Sequence, residues 1–398
     1  MEPTDDRQHR PDPIWHPAPV NPVRITLSRR SMLRRRRLGE EIGIFSIWLL
    51  VFAIMCLLSD RFRAYSNILI LLLNGSVIAF LALGQAFVLL TGGIDLSTGS
   101  TVAMTGVLCT VMMQLGLPWF LASVIGLASG VLLGLFNGVI IHYVKVPAFI
   151  VTFSTYGVAT SVPMIIAEAQ SISVADERFS VIGNGQFLTV PMPVVLVVVA
   201  ALIGFFVLRR TRLGVHIYAV GGNAEAAGLA GVNVALTTLS VYAISGFCAG
   251  MGGLITTSRL MVGYPSAGTG TELFFSIAAA VVGGVSLFGG VGSVLGAMLG
   301  ALLIATISNG MTLLSVPSFW QPLVIGLIIL LGVIIDTYRR RFSEVRRALQ
   351  VLRERGAGRS TLPGAGAKMV ADNAGERSAS PPPFKRSSPD EDDSRPPR

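Results

Sequence analysis

Ten apolar runs follow one another along the middle of the chain, at 43–58, 67–91, 97–115, 118–141, 149–169, 187–208, 234–258, 272–288, 291–314 and 319–337. A run of about twenty residues wound as a helix covers the ~30 Å of hydrocarbon in a bilayer. Backbone groups in lipid have to be satisfied within the structure itself; a helix does this within one segment, and these runs lack the alternation of barrel strands. The expected fold is an all-α polytopic membrane protein with about ten transmembrane helices. The run at 272–288 is short enough to be re-entrant or broken.

With 398 residues, 52% of them hydrophobic and 13% charged, the chain carries a net charge of +9. That charge is not a nucleic-acid signature, because the cations gather in "RRSMLRRRRLG", "RRTRLG" and "RRRFSEVRR", each beside an apolar run. With both termini in the cytoplasm, these clusters and "HYVKVP" fall inside and the acidic "AEAQSISVADERFS" falls outside, as the positive-inside rule requires. Trp119 and Trp320 then fall at the outer membrane interface. The expected location is the plasma or inner membrane, surrounded by lipid. No cleavable leader is evident, since a polar stretch precedes the first run. Residues 1–40 read as a cytoplasmic tail, 41–340 as the membrane domain, and 341–398 as a second cytoplasmic tail; both tails are expected to be mostly disordered. Cys56, Cys109 and Cys248 lie inside apolar runs and make no disulfide or metal framework.

Two segments echo each other: "NGVIIHYVKVPAF" from Asn137 and "NGMTLLSVPSF" from Asn309. By charge parity the two point in opposite directions, as an inverted repeat demands. A second echo, "GGIDLSTGS" against "GGVSLFGGVGS", needs a different offset and does not belong to the same alignment.

Between the sixth and seventh runs stands "GGNAEAAGLAGVNV". After Gly222, Asn223 is a good N-cap and Glu225 suits the first turn; Gly231 is placed to end the helix, with Val232 folding back. The sequence thus specifies an isolated cytoplasmic helix of about two turns, marginal alone in water. Ala226 and Ala227 allow close approach to another surface and Leu229 offers one apolar peg. From these residues alone, packing under its own bundle and docking on a partner stand equal.

The spacing Glu225-Ala226-Ala227, three residues, Gly231 resembles the loop by which permeases of ABC importers insert a coupling helix into their ATPase subunit. The stretch from about Ile68 to Asp336 is similar to the ribose-type sugar permeases, in the superfamily shared with branched-chain amino acid permeases. The likeness rests on "GGIDLSTGS", "VPAFIVTFSTYGVA", "GGNAEAAGLAGVNV" and "PSAGTGTELFFSIAAAVVGGVSLFGGVGS". It implies a transport subunit rather than an enzyme, with a separate ATPase, an extracytoplasmic sugar-binding protein and a second permease as partners. After "GTGTEL" the family commonly has an acid, where this chain has Phe274.

Asp95 is the only acid between Asp60 and Glu168. A carboxylate between two spans needs a use: capping the next helix at Ser97 or Thr98, or a direct part in gating or passage. Ser97 and Ser100 share its motif. Glu272 sits at the mouth of the short eighth run. Asn74, Gln85, Asn137, Ser154 and Asn309 are candidates for a polar path, or for hydrogen bonds between helices. No aromatic platform for a sugar stands out in mid-span.

The chain contains no G-x-x-x-x-G-K-[ST] phosphate loop, so ATP is expected to be used by the partner subunit, with no cofactor or metal bound here. An ion-coupled secondary transporter is the rival reading, for which Asp95 and Glu272 are thin material. A membrane enzyme lacks any nucleophile or metal constellation.

Overall fold

A computed structural model describes residues 27–338, with side chains from Glu41 onward; the expected disordered tails at 1–26 and 339–398 lie outside the described residues. The described residues up to Asp336 belong to one compact unit.

Helix α1 (Leu27–Leu58) and the one-turn α2 (Asp60–Arg63) lead into α3 (Tyr65–Leu90), α4 (Thr98–Gln114) and α5 (Trp119–Val139), the last continued by a π-turn over Ile140–Val144. After α6 (Ala148–Ile166) a loop carries β1 (Ile172–Ser173), a 3-10 turn at Glu177–Ser180, α7 (Val181–Asn184) and the small hairpin β2 (Gln186–Phe187) and β3 (Val190–Pro191). There follow α8 (Met192–Arg210), α9 (Arg212–Gly222), α10 (Ala224–Leu229), α11 (Val234–Leu260), β4 (Val262–Gly263, antiparallel to β1), α12 (Glu272–Val282), α13 (Val294–Leu313) and α14 (Trp320–Tyr338).

Eight of these helices are long and apolar enough to cross a membrane, which corrects the expected ten. The two runs that fall short have identifiable causes. The third run opens on polar "STGST", and α4 winds only 17 residues, ~25 Å at the usual rise. The eighth is helical for 11 residues, ~16 Å, because Gly and Pro in "YPSAGTG" keep the chain in turns before it and Gly284, at φ +82°, ends it.

The preceding ten residues complete that eighth crossing without a helix. A Cβ on Gly263 would lie 2.2 Å from Thr110 Oγ1, and one on Gly268 2.3 Å from the Gly99 carbonyl oxygen, so this stretch runs down α4 from near its last turn to its first. Tyr156 of α6 donates to the Thr269 carbonyl at 3.2 Å. Non-helical backbone at membrane depth is tolerated where protein or a watery cavity surrounds it.

Helix α3 is the centre of the bundle. Every residue from Gly75 to Leu90 is buried, and α11, α13, α12 and α8 pack around it. The tightest crossing is between α5 and α11, where glycines replace side chains: a Cβ on Gly130 would meet the Gly246 carbonyl at 2.6 Å, and one on Gly134 the Tyr242 carbonyl at 2.1 Å. Without a hydrophobic effect between helices in lipid, such backbone proximity supplies the dispersion contact. A second seam joins α12 to α13, where a Cβ on Gly300 would lie 1.9 Å from the Ala279 carbonyl.

Candidate functional site

The bundle has two ends, one bearing α9 and α10. Asn223 caps α10, its Oδ1 accepting from Ala226 N at 2.9 Å. Gly231 takes φ +84° and lets Val232 N fold back onto the Ala227 carbonyl at 3.0 Å, so the stop signal works as a C-cap. The helix is six residues long, about 1.7 turns, close to the two turns read from sequence. Ala227 alone is buried; Gly222, Asn223, Glu225 and Ala226 are exposed and Leu229 is 87% exposed. The bundle therefore leaves the apolar peg and most of the small-residue surface uncovered.

What α10 leans on is a junction of backbones. A Cβ on Gly221 would sit 1.9 Å from the Leu90 carbonyl and 2.5 Å from Gly290 N, and Gly290 N itself donates to Leu90 O at 2.9 Å. Tyr218 Oη donates to the Gly292 carbonyl at 2.9 Å. The loop after α12, the end of α3 and the end of α9 thus meet at one point.

Beneath that junction lies a buried polar cluster around Asp95. Asp95 is 1% exposed; its Oδ1 accepts from Ser97 N at 2.9 Å and Ser97 Oγ at 2.6 Å, and its Oδ2 accepts from Ser245 Oγ of α11 at 2.7 Å. Asn137 of α5 donates to Ser97 Oγ at 3.1 Å, and Thr152 of α6 donates to the Ile94 carbonyl at 3.1 Å. Four helices, α4, α5, α6 and α11, are tied to one turn. Tyr242 Oη, Thr98 Oγ1 and Asn137 Oδ1 are buried without a partner among the described residues.

The structure scatters the other candidates. Ser100 donates within the first turn of α4, to Ser97 O at 3.0 Å. Gln85 is wholly buried in α3 with neither amide atom partnered among the described residues. Ser154 is exposed on α6 and bonds back to the Ile150 carbonyl at 2.8 Å. Glu272 is half-buried at the start of α12, and Phe274 is 49% exposed. Asn309 pairs with Asn67 through two hydrogen bonds of 3.0 Å, at the end opposite α10, whereas Asn137 lies near the α10 end. Asn74, exposed on α3, accepts from Arg259 Nη1 at 3.0 Å.

Several residues escaped the sequence reading. Ser245 and Tyr242 lie in a long apolar run with nothing local to mark them, and Arg259 stands just past the end of that run, in the last turn of α11. The rings of Phe149, Phe153 and Tyr156 lie near-parallel along one face of the first half of α6, with centroids 6.1 and 6.5 Å apart, Phe149 and Phe153 being exposed. Their i, i+4, i+7 spacing was the available signal. No group of metal-ligating side chains forms among the described residues.

A multi-pass helical bundle with a capped surface helix and a carboxylate-centred interior is the build of a membrane transport component. The chain belongs to the family described as branched-chain amino acid transport system / permease component, whose pattern matches residues 67–333. It is 39% identical to the ribose import permease protein of Haemophilus influenzae over 77% of this chain and 98% of that one. It is 35% identical to the D-allose transport system permease protein of Escherichia coli over 75% of this chain and 91% of that one. It is 36% identical to the L-arabinose ABC transporter permease protein of Azospirillum brasilense over 78% and 90%. No solved structure matches the chain. The protein is a non-catalytic, multi-pass transport subunit.

Proposed function

We propose that the chain is the permease of an ATP-driven importer that moves a monosaccharide across the plasma or inner membrane. The observation that carries the coupling part of this reading is α10: a capped helix fastened to the bundle by one buried alanine, with Leu229 87% exposed, is a surface awaiting a partner. The partner is an ATPase subunit. An extracytoplasmic binding protein delivers the sugar, and a second permease, the same chain or a sister, completes the path. The sugar class is supported by relatives named for ribose, allose and arabinose, in preference to the amino acids of the family's description.

In this reading both termini and α10 face the cytoplasm, and the loop between α6 and α8 faces outward. The two Asn-Gly copies are the marks of an inverted repeat. Supporting this, both are followed by a left-handed residue directly before Val-Pro, Lys145 at φ 62° and Ser315 at φ 57°, and the copies lie at opposite ends of the bundle. The ATPases close on ATP and carry α10 with them. Because Gly221 and Gly290 hold that end of α9 against α3 and the loop after α12, the displacement reaches the broken crossing and the Asp95 turn together.

Affinity purification from the native cells tests this, with the wild type compared against a chain scrambled from Glu225 to Gly231. An ATPase carried by the wild type and lost from the scramble is the expected result. A folded wild type that brings down no ATPase counts against the proposal.

A further inference from the structure

We infer that Arg259, set beside Asn74, is a contact site for the hydroxyl groups of the sugar at the outer mouth of the permease; the inference rests on the importer reading above. Arg259 lies in the last turn of α11, half-buried. A guanidinium offers five N–H donors in a fixed fork. Its one partner among the described side chains is Asn74 Oδ1, at 3.0 Å, and no carboxylate lies within ion-pair distance of it among the described residues. Asp176, an acid of the loop that covers this end, is itself held by Arg178 through bonds of 2.9 Å from Nε and Nη2.

The arginine is built into place. Gly183 of α7 lies so near its stem that a Cβ there would stand 2.7 Å from Arg259 Cγ, and Asn184 donates to the Arg259 carbonyl at 3.2 Å. The neighbouring Ser258 accepts from Gly183 N at 2.8 Å and donates to the Phe179 carbonyl at 2.6 Å. A loop folded around one residue's backbone and stem fixes the direction of its head.

That head meets α3 at Asn74, which is exposed although every residue of α3 from Gly75 inward is buried. The first third of the central helix is thus covered on one face only, with Asn67 and Leu71 buried and Asn74 exposed, and an arginine with unused donors stands beside the uncovered face. A basic residue in the last turn also suits the helix dipole, but that role needs no amide partner 185 positions away in sequence. An unpaired intramembrane cation ordinarily marks a ligand or a path. Neutral hydroxyls suit a conduit, since they accept from a guanidinium without forming an ion pair, and a solute in transit has to leave.

The test uses the permease reconstituted with its ATPase in vesicles and loaded binding protein outside, reading ATP-driven uptake of labelled sugar and ATP hydrolysis together. Asn74→Asp gives the guanidinium a carboxylate partner and keeps the side-chain shape. Arg259→Gln removes the charge. Both are expected to slow uptake at least tenfold while hydrolysis stimulated by the binding protein continues, with the Asn74→Asp protein melting no lower than wild type. Wild-type uptake in Asn74→Asp overturns the inference, and that variant decides the matter if Arg259→Gln does not fold. Anionic phospholipid retained by the wild type in native mass spectrometry and lost from Arg259→Gln assigns the site to a lipid phosphate instead and also overturns it. A wild type that takes up no sugar with ATP present removes the importer reading itself, a result distinct from either.

Discussion

Ser245 of α11 donates a 2.7 Å hydrogen bond to Asp95 across 150 residues of chain, fastening the turn between α3 and α4 to the helix that packs against both. Asp95 is 1% exposed, so each of its donors replaces water that cannot enter. Ser245→Ala leaves Oδ2 without its donor and is expected to destabilise the bundle by about 1–3 kcal/mol, the cost of a buried acceptor left unmade. Asp95→Ala strands Ser97 and Ser245 at once and should cost more. Thermal unfolding in detergent ranks the two, and an Asp95→Ala protein as stable as wild type would show that the turn is held by backbone alone.

The reciprocal pair of Asn67 and Asn309 allows a clean double-mutant cycle. Asn309→Ala leaves the buried Asn67 with only its bond to the Phe62 carbonyl at 3.1 Å, and Asn67→Ala leaves the half-buried Asn309 without this partner, so the coupling energy is expected at about 0.6–1.7 kcal/mol, the range found for hydrogen bonds between membrane helices. Additive losses would show that the two amides find other partners.

Gly134 has no room for a methyl group, because the Tyr242 carbonyl would lie 2.1 Å from it. Gly134→Ala forces α5 and α11 apart along their tightest contact and should lower stability by about 1–3 kcal/mol, as overpacking does. Gly157 on α6, where a Cβ meets nothing within 4 Å, is the control: alanine there is expected to be neutral or slightly stabilising.

Gly231 is the reverse case. Nothing lies within 4 Å of a Cβ there, but φ is +84°. Gly231→Val therefore meets strain rather than collision, of about 1–2 kcal/mol, spent on the cap of a six-residue helix. Loss of ATPase co-purification with an unchanged melting temperature is the expected outcome; full retention of the ATPase would place docking elsewhere.

Glu272 separates ATP-driven from proton-driven transport. If ATP supplies the energy, Glu272→Gln transports in vesicles with no pH gradient at a rate within about threefold of wild type, a difference of less than ~0.7 kcal/mol in barrier. Uptake by wild type that requires a proton gradient and vanishes in Glu272→Gln would restore the secondary-transporter reading.

The sequence made the spans and the cap of α10 legible because both depend on local rules: hydrophobic length, and a few residues whose side chains bond to adjacent backbone. Asn223 and Gly231 do what their types suggest within ten residues of chain. The environment of Asp95 was only half legible. Its bonds to Ser97 follow from a two-residue spacing, but Ser245 is set by the crossing of α11 over the turn, which no local pattern encodes. The same limit hid Arg259, whose meaning lies in Asn74 and Gly183 on other helices. The number of full-length spanning helices differs from expectation for another reason: hydropathy measures how oily a stretch is, not whether it winds, and the residues before Glu272 run along α4 in turns rather than as a helix.

That stretch has a mechanical consequence. Pro265 to Thr271 are laid down as successive turns, tied by bonds such as Ala267 N to the Tyr264 carbonyl at 3.0 Å and Thr269 N to the Ser266 carbonyl at 3.4 Å. The neighbouring α3 and α13 carry a backbone bond at every step of the helix. Among the described crossings, the eighth is therefore the strut that can be re-formed with the fewest backbone bonds broken.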